Sequence, residues 1–149
     1  MNVDAIIFDK DGTLIDFDAF WVTISVKAIK DILKKLKKEE IPLNEVLEAF
    51  GVHEGITDIN GIICKGTYQQ MGQIVYDIAC KYGCNTSCDE VVQMVIRAYN
   101  QNKDEGKIAP TTPKLLEVLM ELKKRNKRLA VVTTDNEEIT RKCLKKLGI

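Results

Sequence analysis

Charge of one sign, long apolar runs, paired cysteines and histidine are all scarce in this 149-residue sequence. Lys plus Arg and Asp plus Glu number 22 each, so no overall field favours nucleic acid or an anionic membrane surface. No apolar run approaches the ~20 residues that a membrane-spanning helix needs. Met1-Asn2-Val3-Asp4 lacks the basic start and apolar core of a secretory signal, and a cytoplasmic protein is expected. The five cysteines, Cys64, Cys80, Cys84, Cys88 and Cys143, are odd in number and form no CxxC pair, which reads as reduced thiols. Cys80, Cys84 and Cys88 could line up as metal ligands only along one unbroken helix, and Gly83 and Asn85 suggest a break. The single histidine, His53, sits in an irregular stretch and reads as a loop side chain. No internal repeat or low-complexity tract is evident.

What is present concentrates near the start. Val3 to Phe8 is apolar at almost every position, as in a strand buried on both faces of a parallel sheet. It ends abruptly in Asp9-Lys10-Asp11-Gly12-Thr13. Ligand sites in open α/β sheets lie beyond the carboxyl ends of the strands, where these residues would fall. If the backbone stays extended, Asp9 and Asp11 point the same way, about 6.6 Å apart along the strand. A hard cation could bridge them, and one aspartate could act as a nucleophile toward phosphorus. Gly12 permits positive φ and close approach of an anion, and Thr13 adds a hydroxyl. Asp-Gly is also an ordinary turn pair, and the glycine spacing rules out an EF-hand loop.

Phe8-Asp9-Lys10-Asp11-Gly12-Thr13-Leu14 resembles the first motif of the haloacid dehalogenase superfamily, Asp-x-Asp-Gly-Thr after an apolar strand. The resemblance implies that Asp9 is the nucleophile and Asp11 the general acid and base. It also implies Mg²⁺ on the Asp9 carboxylate and the Asp11 main-chain carbonyl. A second aspartate two residues after the nucleophile points to phosphatases and phosphomutases within the superfamily, and Thr13 toward phosphatases.

From Asp16 the pattern turns helical. Phe17, Phe20, Trp21, Ile24, Ala28 and Ile32 recur at helical spacing, and Leu33 and Leu36 extend the face. Asp16 or Asp18 can cap the start. Lys27, Lys30, Lys34, Lys35, Lys37 and Lys38 crowd the other side and read as a solvated face, with no aromatic residues between them. Pro42 ends this block, and Leu43, Val46, Leu47 and Phe50 form a second apolar face. Gly51 to Gly66 is irregular. Thr67 can cap a third helix that Gly83 stops, and Ser87 with Glu90 forms a capping-box pattern for a fourth. Residues 17–103 therefore read as a helical bundle, similar to the superfamily's inserted cap, which closes over the site and selects substrate. Lys65 could meet a substrate anion, though it also reads as an ordinary surface lysine.

The α/β pattern returns after Asp104-Glu105-Gly106-Lys107. Thr112 and Pro113 suit the start of a helix with Leu115, Val118, Leu119 and Leu122 facing the sheet. Arg128 to Thr134 reads as a second buried strand, and Asp135 with Glu138 as the cap of a last helix. Val131-Val132-Thr133-Thr134 resembles the superfamily's second motif, which implies phosphate binding by Thr133, with Thr134 and Asn136 as possible neighbours.

The expected fold is thus α/β, a Rossmann-like parallel sheet core formed by residues 1–16 and 104–149, with a helical cap. The resemblance implies two further motifs, one with a basic residue and one with acidic residues, and neither can be assigned after Thr133, where Lys142 or Lys145 would be a forced substitute; the core is therefore expected to be incomplete. The expected activity is a Mg²⁺-dependent phosphatase of the phosphoglycolate-phosphatase-like group, acting on a small phosphorylated metabolite through an aspartyl phosphate. A phosphomutase, or a noncatalytic regulator that binds phosphate and Mg²⁺, remains open. The expected metal ligands are Asp9 and Asp11, and the expected substrate contacts are Gly12, Thr13, Thr133 and Thr134. No nucleic-acid or membrane partner is expected. The chain reads as a fragment of a longer protein, with weak metal binding, little turnover and an unpaired sheet edge open to self-association.

Overall fold

The computed structural model describes residues 3–149; Met1 and Asn2, part of the leader argument above, lie outside the described residues. Backbone contacts divide the chain into two units, one running to Phe20 and resuming at Lys107–Ile149, the other Trp21–Gly106. Residues 17–20 thus belong with the α/β unit and 104–106 with the helical one, whereas the sequence assigned them the other way. Phe20 shows why: it is buried, with the Lys10 ammonium 5.0 Å from its ring centroid.

In the α/β unit, β1 (Ala5–Phe8) pairs in parallel with β4 (Arg128–Val131), Ala5 opposite Arg128 through Phe8 opposite Val131. The ladder is extended at both ends by Arg128 N–H to the Asp4 carbonyl, 3.0 Å, and Val132 N–H to the Phe8 carbonyl, 2.9 Å. Both strands are shorter than Val3–Phe8 and Arg128–Thr134, and neither is buried on both faces. Ile7 is 67% and Val132 63% exposed, because the unit covers one face of the pair and leaves alternate side chains outward. The apolar run could not reveal this, since it lacks the polar alternation that marks a half-exposed strand.

Helix α6 (Leu115–Lys124) follows Lys114, two residues later than Thr112-Pro113 suggested; its cap makes no side-chain bond. Leu115 and Leu119 are buried, but Val118, expected to face the sheet, is 49% exposed. The last helix, α7 (Glu137–Lys146), is capped by Asn136, whose side chain accepts from Glu138 N–H at 2.8 Å. Asp135 is not that cap, for a reason given below.

The helical unit opens with a π-turn, Asp18–Val22, shared across the boundary, in which Asp16 Oδ1 accepts from Ala19 N–H at 2.8 Å. Helices α1 (Thr23–Leu36), α2 (Leu43–Ala49), α4 (Tyr68–Lys81) and α5 (Cys88–Asn102) follow. Ile24, Ala28, Ile29, Ile32, Val46, Phe50, Val75, Val91 and Val95 form the core. Thr67–Gln70 and Ser87–Glu90 both make reciprocal capping boxes. The irregular stretch holds a short hairpin, β2 (Val52–His53) with β3 (Ile56–Thr57), and a single helical turn, α3 (Ile62–Lys65). Glu54 and Gly55 make its turn at φ 52° and 83°. Glu54 pays for a conformation that Asn or Asp adopts more readily, so the usual hairpin signal was missing. No helix among the described residues is long and apolar enough to cross a membrane.

Candidate functional site

The β1–β4 register brings the carboxyl ends of both strands to the same edge, so Asp9 emerges beside Val132 and Thr133. The Asp9 side chain is exposed, and no described group pairs with its carboxylate. Beyond it the chain folds into a tight turn around one acceptor: the Lys10 carbonyl receives the N–H groups of Thr13, Leu14 and Ile15 at 3.4, 2.9 and 3.0 Å. Gly12 closes the turn at φ 77°, and its N–H donates to the Ile15 carbonyl at 2.8 Å. That amide is therefore used internally, and an incoming anion would meet the exposed Thr13 hydroxyl instead. Leu14 and Ile15 anchor the turn in the core, and Thr111 ties down its far side by donating from Oγ1 to the Thr13 carbonyl at 2.7 Å.

Across the edge, Thr133 is half-buried, and its Oγ1 accepts from Asp135 N–H at 3.2 Å, which leaves its hydroxyl proton free to donate. Thr134 is exposed. A crevice of about 520 Å³ runs along this strand end, lined by Val131 to Thr133, Asp135, Glu137, Thr140, Arg141 and Leu144.

The residue that sequence reasoning passed over is Lys10. Its side chain is 0% exposed, with Nζ 2.6 Å from Asp11 Oδ1 and 3.0 Å from Asp135 Oδ2. Burial works to lower the ammonium pKa. The hydrogen bonds and charges of Asp11 and Asp135 outweigh it, and the net shift is upward, so the group stays charged. Asp135 is thus committed to Lys10 through one oxygen and to Asn136 N–H through the other, at 2.7 Å, and the capping role passes to Asn136. The sequence around Lys10 carried no local sign of its burial, because its second counter-ion, Asp135, lies across the strand pairing.

The hard oxygen donors that could hold a divalent cation are the Asp9 carboxylate and the Asp11 carbonyl, which takes no part in the backbone bonds of the turn. They fit Mg²⁺ as part of a shell that water and a phosphate would complete. Among the described residues no group of three His, Cys, Asp or Glu side chains could hold a metal, and this includes Cys80, Cys84 and Cys88. Lys142 and Lys145 are exposed on α7, and Lys65 donates to Asn60 Oδ1 at 2.6 Å on the helical unit.

A family model for haloacid dehalogenase-like hydrolases matches residues 3–149. The comparison with curated proteins gives no match. Among solved structures, that of a predicted phosphoglycolate phosphatase from Haemophilus somnus 129PT is similar, with a TM-score of 0.57 and 21% identity. The match covers 96% of this chain and 56% of that one, so the chain spans little more than half of that protein's length. At this identity the likeness is one of fold.

Proposed function

This chain belongs to the haloacid dehalogenase-like hydrolases, and we propose that it carries the nucleophile half of a Mg²⁺-dependent phosphomonoesterase acting on a small phosphorylated metabolite. The observation that carries the reading is the exposed Asp9 carboxylate, unpaired among the described residues, at the same sheet edge as Thr133. An Asp9 oxygen attacks phosphorus and the ester P–O bond breaks, while Asp11 gives its proton to the departing alkoxide. Water then attacks the aspartyl phosphate and Asp11 takes back a proton. Phosphate leaves, and the Asp9 carboxylate is restored. Thr13 and Thr133 hold phosphoryl oxygens through their hydroxyls, with Thr134 at the rim. Mg²⁺, when held by the Asp9 carboxylate and Asp11 carbonyl, offsets the repulsion between the two anionic reactants.

The helical unit serves as the cap that selects among substrates, and deleting Trp21–Gly106, which keeps Phe20 against Lys10, should flatten the ranking over a panel of phosphate esters. The partner is a metabolite rather than nucleic acid or membrane. A second copy pairs along the free edge of the two-stranded β1–β4 sheet, an association that sedimentation equilibrium would detect. The five free thiols suit a cytoplasmic setting. The test of the reaction is phosphate release from p-nitrophenyl phosphate with Mg²⁺. Slow turnover is expected, since the described residues supply only part of a metal shell and no cation beside Asp9, and Asp9→Asn should abolish it. Turnover that survives Asp9→Asn would refute the assignment.

A further inference from the structure

The chemistry above uses Asp9, Asp11 and the hydroxyls, and it leaves Lys10 out. Yet Lys10 is the most deeply placed charge of the α/β unit, and its contacts join two turns far apart in sequence. Asp11, 19% exposed, lies on the turn after β1; Asp135, 17% exposed, lies on the turn after β4, two residues beyond Thr133. The same residue's carbonyl is the acceptor around which Thr13, Leu14 and Ile15 close. The Phe20 ring packs 5.0 Å from the ammonium and leaves it little room to move. Asp135 Oδ2 is buried with no aligned hydrogen bond, so its charge is met by Lys10 and its position depends on that ion pair. Nζ reaches one oxygen of Asp11 and leaves the other to point elsewhere.

We infer that Lys10 and Asp135 are positioning residues: the Lys10 ammonium fixes the orientation of the Asp11 carboxylate and locks the Asp9–Thr13 turn to the Thr133–Asn136 turn. Lys10 itself touches neither the ester nor the phosphoryl group. Asp11 can serve as an acid only if its free oxygen faces the leaving oxygen, and Thr133 can hold the phosphoryl group only if its turn keeps its distance from Asp9. A single buried cation sets both. Arginine would reach both carboxylates but is longer and flatter, and methionine fills the space without holding either.

The inference rests on the roles proposed for Asp9 and Asp11, so its test separates the two. Lys10→Met, Lys10→Arg and Asp135→Asn are compared with the wild-type chain on p-nitrophenyl phosphate, whose leaving group needs no proton, and on an alkyl phosphate, whose leaving group does. Lys10→Met and Asp135→Asn should each lower kcat/KM, which reports the phosphoryl-transfer step, on the alkyl ester by about tenfold or more relative to the nitrophenyl ester. Lys10→Arg should recover part of the loss. Equal losses on both esters, or none, would overturn the positioning role and leave Lys10 as a core residue. Should the wild type turn over neither ester, the phosphatase reading falls, and the lock is then judged by amide resonances. In Lys10→Met and Asp135→Asn the signals of Asp9–Thr13 and Thr133–Asn136 should move together. A variant that disturbs one turn and leaves the other in place would overturn it.

Discussion

The Tyr99 hydroxyl, buried in the helical unit, donates to Ser25 Oγ at 2.8 Å, and the ring lies 5.2 Å from that of Tyr68. Burial pushes the phenol well above its ordinary 10.0, against a smaller opposing effect of the Ser25 bond. Below pH 10 both the folded and unfolded chains keep this proton, and stability does not depend on it. Above pH 10 the unfolded chain releases the proton while the folded one holds it, so stability falls as pH rises toward the folded value. Chemical denaturation across this range should show the fall in the wild type and its reduction in Tyr99→Phe. At neutral pH the same variant should cost about 1–3 kcal/mol, since Ser25 loses its buried partner. At Gly12 the limit is backbone, not space: no atom lies within 4 Å of an added Cβ, but φ is 77°. Gly12→Ala should therefore cost about 1–2 kcal/mol of stability, read from the urea midpoint, through left-handed strain alone.

Helices α4 and α5 pack backbone to backbone at Gly72, where an added Cβ would stand 2.7 Å from Val92 Cα. Helix propensity alone would make Gly72→Ala stabilising by about 1 kcal/mol. The clash falls on backbone, which cannot swing aside, and the expected outcome is a net loss of about 1–3 kcal/mol in a denaturant titration. Such a contact is invisible in sequence, where Gly72 merely interrupts an apolar face. The capping boxes are the opposite case. Thr67 with Gln70 and Ser87 with Glu90 satisfy their helix ends within four residues, so reading them requires no knowledge of the fold. Asp135 looked equally local and was misread, because its partner is Lys10, more than a hundred residues away. The strands were placed correctly by their apolar runs, but their exposure depends on what lies over each face. The places of Asp9 and Thr133 at the strand ends were legible in the apolar runs that precede them. Lys10 was not, since its importance appears only when the parallel pairing brings Asp135 to it.

The two units differ in how much core they own. In Trp21–Gly106 the four longer helices bury an aliphatic interior, and the two ends of the unit are tied together by Lys27 with Glu105, Ser25 with Tyr99 and Asp31 with Asn102. In the α/β unit, the buried apolar side chains among the described residues are Leu14, Ile15, Phe20, Leu115, Leu119, Ile139 and Cys143, and a charged Lys10 lies among the buried groups. Its two strands have few neighbours, and Ile7, Leu116, Val118, Met120 and Val132 are exposed. A parallel pair depends on side-chain packing for its stability, and this one has a single covered face. Cooperative opening follows the amount of apolar area each region buries. Native-state hydrogen exchange should therefore show the amides of β1 and β4 exchanging through a low-energy opening that leaves α1, α4 and α5 protected. Equal protection of the Ala130 and Val95 amides would contradict this. A ligand that bridges Asp9, Thr13 and Thr133 would link the two turns and should slow exchange in β1 and β4 first, with little effect on α4 and α5.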